Sequence, residues 1–83
     1  PPQAIYNDIG NIVADVMTRQ FGEQVATLVS LSDVLPGSYQ IWVWNGDGWT
    51  VVPPQLQYFG ATSVLFLTDE PVTSFKIFEV IDR

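Results

Sequence analysis

Apolar and polar residues alternate in two different rhythms along the chain. In the N-terminal third, Ile5, Ile9, Ile12, Val13, Val16, Met17 and Gln20 recur at steps of three, four and one, and all but Gln20 are apolar. That spacing is one stripe on a helix, with Asn7, Asp8, Asn11, Asp15 and Thr18 between the apolar positions facing water. It predicts an amphipathic helix over residues 3–21 with Ile5, Ile9, Ile12, Val13 and Val16 buried. Pro1 and Pro2 precede it, Asp8 and Arg19 sit at the ends that suit the helix dipole, and Gly22 reads as its stop. Gly10 is the weak point, costing about 1 kcal/mol relative to Ala in a helix interior.

From residue 23 the rhythm shortens to two. Val25, Thr27, Val29 and Leu31 alternate with Ala26, Leu28 and Ser30. The β-branched content favours a strand over the alternative of a second short helix. Ser32-Asp33 and Leu35-Pro36-Gly37 then make a turn. Tyr39 to Trp44 and Trp49 to Val52 are aromatic and β-branched runs around Asn45-Gly46-Asp47-Gly48, which predicts a β-hairpin. A two-residue turn at Asn45-Gly46 or at Asp47-Gly48 is compatible with this. So is a four-residue loop, which sets Trp44 opposite Trp49 and puts Trp42 against Val51 on the same face. Pro53-Pro54 ends the hairpin. Residues 56–59 read as a short strand or extended link, Val64 to Leu67 as a strand, Thr68 to Pro71 as a turn, and residues 73–81 as a last strand. The expected fold is therefore α+β. An N-terminal amphipathic helix is followed by a four- or five-stranded antiparallel sheet, all in a single small domain over residues 1–83.

Composition turns this outline into an expectation about assembly. The chain has 83 residues, 47% of them hydrophobic and only 14% charged, with no Cys and no His. No disulfide and no ordinary zinc site can staple so small a core. One helix covers one sheet face, yet the hairpin and the last strand carry large apolar groups on both. The second face is expected to meet another chain, so the domain should be a homo-oligomer or part of a larger assembly.

Charge excludes other partners. The net charge is −6, from nine acids and three bases, the latter being Arg19, Lys76 and Arg83. Three scattered cations cannot neutralise a run of phosphates or hold an anionic bilayer, so neither nucleic acid nor membrane is expected as a partner. No segment reads as a signal peptide or a membrane span, and a start at Pro1 without Met reads as a processed or cut N-terminus.

Candidate chemistry is sparse. Without Cys or His, Lys76 is the single Lys that could activate a Ser or Thr, and no known motif surrounds it. No catalytic residue, cofactor or metal site is assigned. Asn45 and Asp47 lack the ordered ligand spacing of a calcium loop and read as turn formers. Trp42, Trp44 and Trp49 are the candidate site, as an interface or ligand-stacking surface. Exposed Trp residues on a sheet stack on sugars or anchor protein interfaces, whereas buried ones fill a core or a subunit seam, the reading preferred here.

The run Leu28-Val29-Ser30-Leu31-Ser32-Asp33-Val34-Leu35-Pro36-Gly37, followed by Ile41-Trp42-Val43-Trp44-Asn45-Gly46-Asp47-Gly48-Trp49-Thr50-Val51, resembles short modules of bacteriophage tail-fibre and other virion structural proteins. The likeness covers residues 25–53. It implies a non-enzymatic structural or attachment module in the virion, commonly a symmetric homo-oligomer that also meets other virion proteins. The alternatives are a small acidic regulatory or inhibitor protein that binds a partner protein, and a carbohydrate-binding module that uses the Trp face.

Overall fold

The structure is a computed structural model and describes residues 3–7, 13–34 and 38–79, with side chains for 15–34 and 38–78. Among the described residues eight strands follow one another: β1 (Gln3–Asn7), β2 (Val13–Phe21), β3 (Gln24–Leu31), β4 (Tyr39–Trp44), β5 (Trp49–Val51), β6 (Gln57–Phe59), β7 (Ser63–Thr68) and β8 (Ser74–Glu79), with a 3-10 turn at Pro54–Leu56. They form two four-stranded sheets, one ordered β1-β8-β4-β5 and the other β2-β3-β7-β6. All pairings are antiparallel except that of β1 with β8, which is parallel. The chain lays down hairpins β2–β3, β4–β5 and β6–β7, changing sheet between one hairpin and the next.

The domain is thus all-β, and the expected α+β fold with its N-terminal helix is wrong. Residues 3–7 and 13–21 are strands, and the segment with Asp8, Ile9, Gly10 and Ile12 lies outside the described residues, as do the side chains of Ile5 and Val13. Val16 is half-buried against the core, but Met17 is exposed. A bulge explains the Val13-to-Val16 step of the false helical stripe. The register of β2 on β3 slips between Val13 and Asp15, so Val13 pairs with the buried Leu31 and Val16 with the buried Val29. One extra residue turns a step of two into a step of three, which imitates a helix. The β-branched residues of the segment then favour the strand. Gly22 is not a helix stop. It has φ 63° and leads a two-residue turn joining Phe21 to its partner Gln24, in the φ pattern of a type II′ hairpin.

The expected single sheet is likewise replaced by two, and this alters the assembly reasoning. Each sheet covers the inner face of the other, so no second chain is needed to close the core. Val29 and Leu31 of β3, with Val64 and Phe66 of β7, form one core with Tyr39, Ile41 and Val43 of β4 and Phe75 and Ile77 of β8, and Val25 and Thr27 of β3 are buried on the same side. Phe66 and Phe75 meet edge to face across the two layers, ring centroids 5.8 Å apart. Val52 and Val72, on the connections, are also buried. Residues 24–31 are a strand, which settles the choice left open between strand and short helix. Each fully buried side chain of this size is worth about 1.5–3 kcal/mol, and the layer is continuous.

Candidate functional site

The outward face of sheet β1-β8-β4-β5 gathers the three tryptophans. The β4–β5 hairpin closes with the four-residue loop Asn45–Gly48, in which Asn45 N–H donates to the Gly48 carbonyl at 3.1 Å. The Asn45 side-chain oxygen accepts from the backbone N–H groups of Asp47 (2.9 Å) and Gly48 (3.0 Å), and Gly46 takes φ 102°. That loop fixes the register: Trp44 pairs with Trp49, Val43 with Thr50 and Trp42 with Val51. Of the turn geometries compatible with the sequence, this is the four-residue one. Ile41, Val43 and Val52 point into the core, leaving the indoles on the outside.

These indoles are packed against one another. Trp44 and Trp49 meet at 5.5 Å with planes at 65°, and Trp42 meets Phe78 of β8 at 6.5 Å with planes at 89°. Lys76, paired with Trp42 across β4 and β8, sets its ammonium 4.3 Å from the Trp49 ring centroid and 5.7 Å from that of Phe78. This is cation–π geometry, with the lysine stem lying along the apolar sheet. Trp42 Nε1 donates to Gln40 Oε1 at 3.3 Å. Trp42 and Trp49 are half-buried, and Trp44 is 37% exposed. A sugar ring stacks on an open flat indole, whereas here the ammonium occupies the face of Trp49 and the other rings meet edge-on. The three residues are together as the sequence implies, in a small outer aromatic cluster. Beside it a groove of about 650 Å³ has Trp44, Val52, Leu56, Leu67 and Val72 among its lining residues, with Asp69 and Glu70 also on its wall. Among the described residues no three acidic side chains cluster as metal ligands would.

The opposite outward face carries residues that the sequence reading did not single out. Register places Met17 beside Leu28, Leu28 beside Leu65, and Leu65 beside Tyr58. The four form one apolar row across β2, β3, β7 and β6, perpendicular to the strands. Met17 is 58% and Tyr58 55% exposed, while Leu28 and Leu65 are half-buried. The next rung holds Arg19, Ala26 and Leu67, and Phe21 lies beyond it at 68% exposure. The period-two alternation Asp15, Met17, Arg19, Phe21 is the signal that marks this face, and a helical reading of the segment hides it. No protein-family model matches the chain, and no curated protein or solved structure is similar to it at a significant level.

Proposed function

We propose that this domain is a non-enzymatic structural module that self-associates through sheet β2-β3-β7-β6, in the manner of the virion structural modules that residues 25–53 resemble. The observation that carries the reading is the outward row Met17, Leu28, Leu65 and Tyr58, which spans all four strands of a sheet whose central strands β3 and β7 are already buried on their inner side. A monomer gains nothing by keeping these groups in water, and most isolated domains of this size avoid so continuous an apolar strip. The occupant is a second copy, because one sheet surface meeting its own likeness closes with two-fold symmetry, the commonest form of assembly. A role in attachment to other virion proteins extends the same reading. Carbohydrate binding through the Trp face is the weaker alternative, because Lys76 lies over Trp49.

Size-exclusion chromatography of the wild type and of Met17→Lys and Tyr58→Lys variants tests this. Both sites are more than half exposed, so the fold tolerates the charge. The wild type should elute earlier as its loading concentration rises, and at least one variant should remain at the monomer position. Wild-type elution that is late and independent of concentration would defeat the reading.

A further inference from the structure

The sheet edge beside this row has a specific geometry. Four strands are edges, and three of them are short: five residues in β1, three in β5 and three in β6. The fourth, β2, has nine residues, contains no Pro and no Lys, and pairs only with β3 among the described strands. A long unpaired edge presents a row of backbone N–H and C=O groups ready to take another strand, and proteins usually blunt such edges. Among the described residues β2 has one bulge, between Val13 and Asp15, which lies at one end and leaves residues 15–21 regular, and one edge donor already engaged, Val16 N–H, which donates to Asp15 Oδ1 at 2.9 Å.

The outward residues of β2 are Asp15, Met17, Arg19 and Phe21, all exposed. When β2 is paired antiparallel with its own copy, the outward face stays continuous only if the two-fold axis passes through a residue position rather than between two. A centre at Asp15 sets the two Asp15 carboxylates against each other. A centre at Arg19 does the same to the two guanidiniums. Centres at Val16 or Thr18 set one of the charges against Met17 of the partner subunit. A centre at Met17 alone brings Asp15 opposite Arg19 of the partner subunit, and does so twice by symmetry. About this centre residues 15–19 pair in full, all within the regular part of the strand. Among the described residues Arg19 has no ion pair of its own within the chain, so its charge is available. In this register the row Tyr58, Leu65, Leu28, Met17 runs on into its symmetry mate as one unbroken strip.

We infer that β2 is a self-complementary edge. Two copies join in antiparallel fashion about a two-fold axis at Met17, making one continuous eight-stranded sheet held in register by two Asp15–Arg19 pairs. The inference rests on the self-association proposed above and adds an edge contact to it, which lengthens the outward row without burying it. Opposite charges directly across a strand pair favour that pairing, and like charges there oppose it.

The test uses the intact chain in two ways. In the first, Asp15→Arg and Arg19→Asp variants each place like charges opposite one another twice. Each should weaken dimerisation about tenfold or more, and the double variant should restore it toward the wild-type value. In the second, the chain has no native Cys, so an introduced thiol is unique. Met17→Cys should yield a covalent dimer under oxidised glutathione, because its two copies face each other within disulfide reach. Phe21→Cys should not, its two copies lying about 27 Å apart at ~3.4 Å per residue. Circular dichroism of each variant confirms that the fold is kept. If the wild type associates but the double variant does not recover, or Phe21→Cys cross-links instead, the edge register is overturned and self-association stands by another surface. If the wild type never associates, both readings fall.

Discussion

Thr27 is the buried position where the core is least well served, and replacing it with Val should stabilise the protein. It lies on β3 at 0% exposure, between Val25 and Val29 and opposite Phe66 of β7. Its hydroxyl finds no hydrogen-bond partner among the described residues, although Thr18 stands directly opposite on β2. Unfolding returns that hydroxyl to water, so in the folded state it carries an unpaid desolvation cost of about 1–3 kcal/mol. Val has nearly the same shape, keeps the β-branch, and puts a methyl group into apolar surroundings. Thr27→Val should therefore gain about 1–2 kcal/mol, and each kcal/mol corresponds to a rise of about 4–8 °C in Tm for a domain of this size. The assay is urea unfolding with calorimetry, both at one fixed protein concentration, because association shifts the apparent stability. Thr27→Ser, which keeps the hydroxyl and deletes the methyl, should lose about 0.5–1.5 kcal/mol. A Val variant less stable than the wild type would show that the hydroxyl is bonded in the fold and would refute this reasoning.

Other substitutions test separate parts of the account. Gly46→Ala should cost about 1–2 kcal/mol in urea unfolding from backbone strain alone, since at φ 102° a Cβ would meet no atom within 4 Å. Gly22→Ala should cost about 1–2 kcal/mol in the same assay, because φ 63° at the first central position of a type II′ turn is a conformation that L side chains rarely adopt. Phe66→Ala removes one half of the contact between the sheets and should cost about 3–5 kcal/mol, a large part of the stability of so small a domain. Circular dichroism at 25 °C should then show a substantial unfolded fraction.

The parts of this fold that were legible in the sequence share one property: their pattern is local. Val25 to Leu31 alternates without interruption, and every second residue is buried. Asn45-Gly46-Asp47-Gly48 sits between two strand-like runs and marks a hairpin, whereas its register, with Trp44 opposite Trp49, is open among three turn geometries in the sequence and is seen only in the structure. Phe75 and Ile77 are one face of a strand by simple alternation. The N-terminal third failed because a single bulge at residues 13–15 shifts the alternation by one, and the shifted pattern satisfies a helical template. Gly10 and the run of β-branched residues were the counter-signal. The second sheet followed from that error, since a segment taken as helix cannot contribute strands to it. The apolar row was illegible for a different reason. Met17, Leu28, Leu65 and Tyr58 become neighbours only through the order β2-β3-β7-β6, which combines two hairpins and a long-range pairing. Strand order of that kind is a property of packing, and no window of sequence contains it.

Self-association is a proposal whose grounds differ from those the sequence offered. It began from a sheet face that one helix could not cover, and the second sheet covers that face. What remains is an outward apolar row beside a nine-residue strand that pairs only with β3 among the described strands. The most direct test is the absolute mass of the wild-type protein by light scattering across a dilution series. The account predicts a mass that rises toward at least twice that of the chain as concentration increases. A mass that stays at one chain up to millimolar concentration would contradict it.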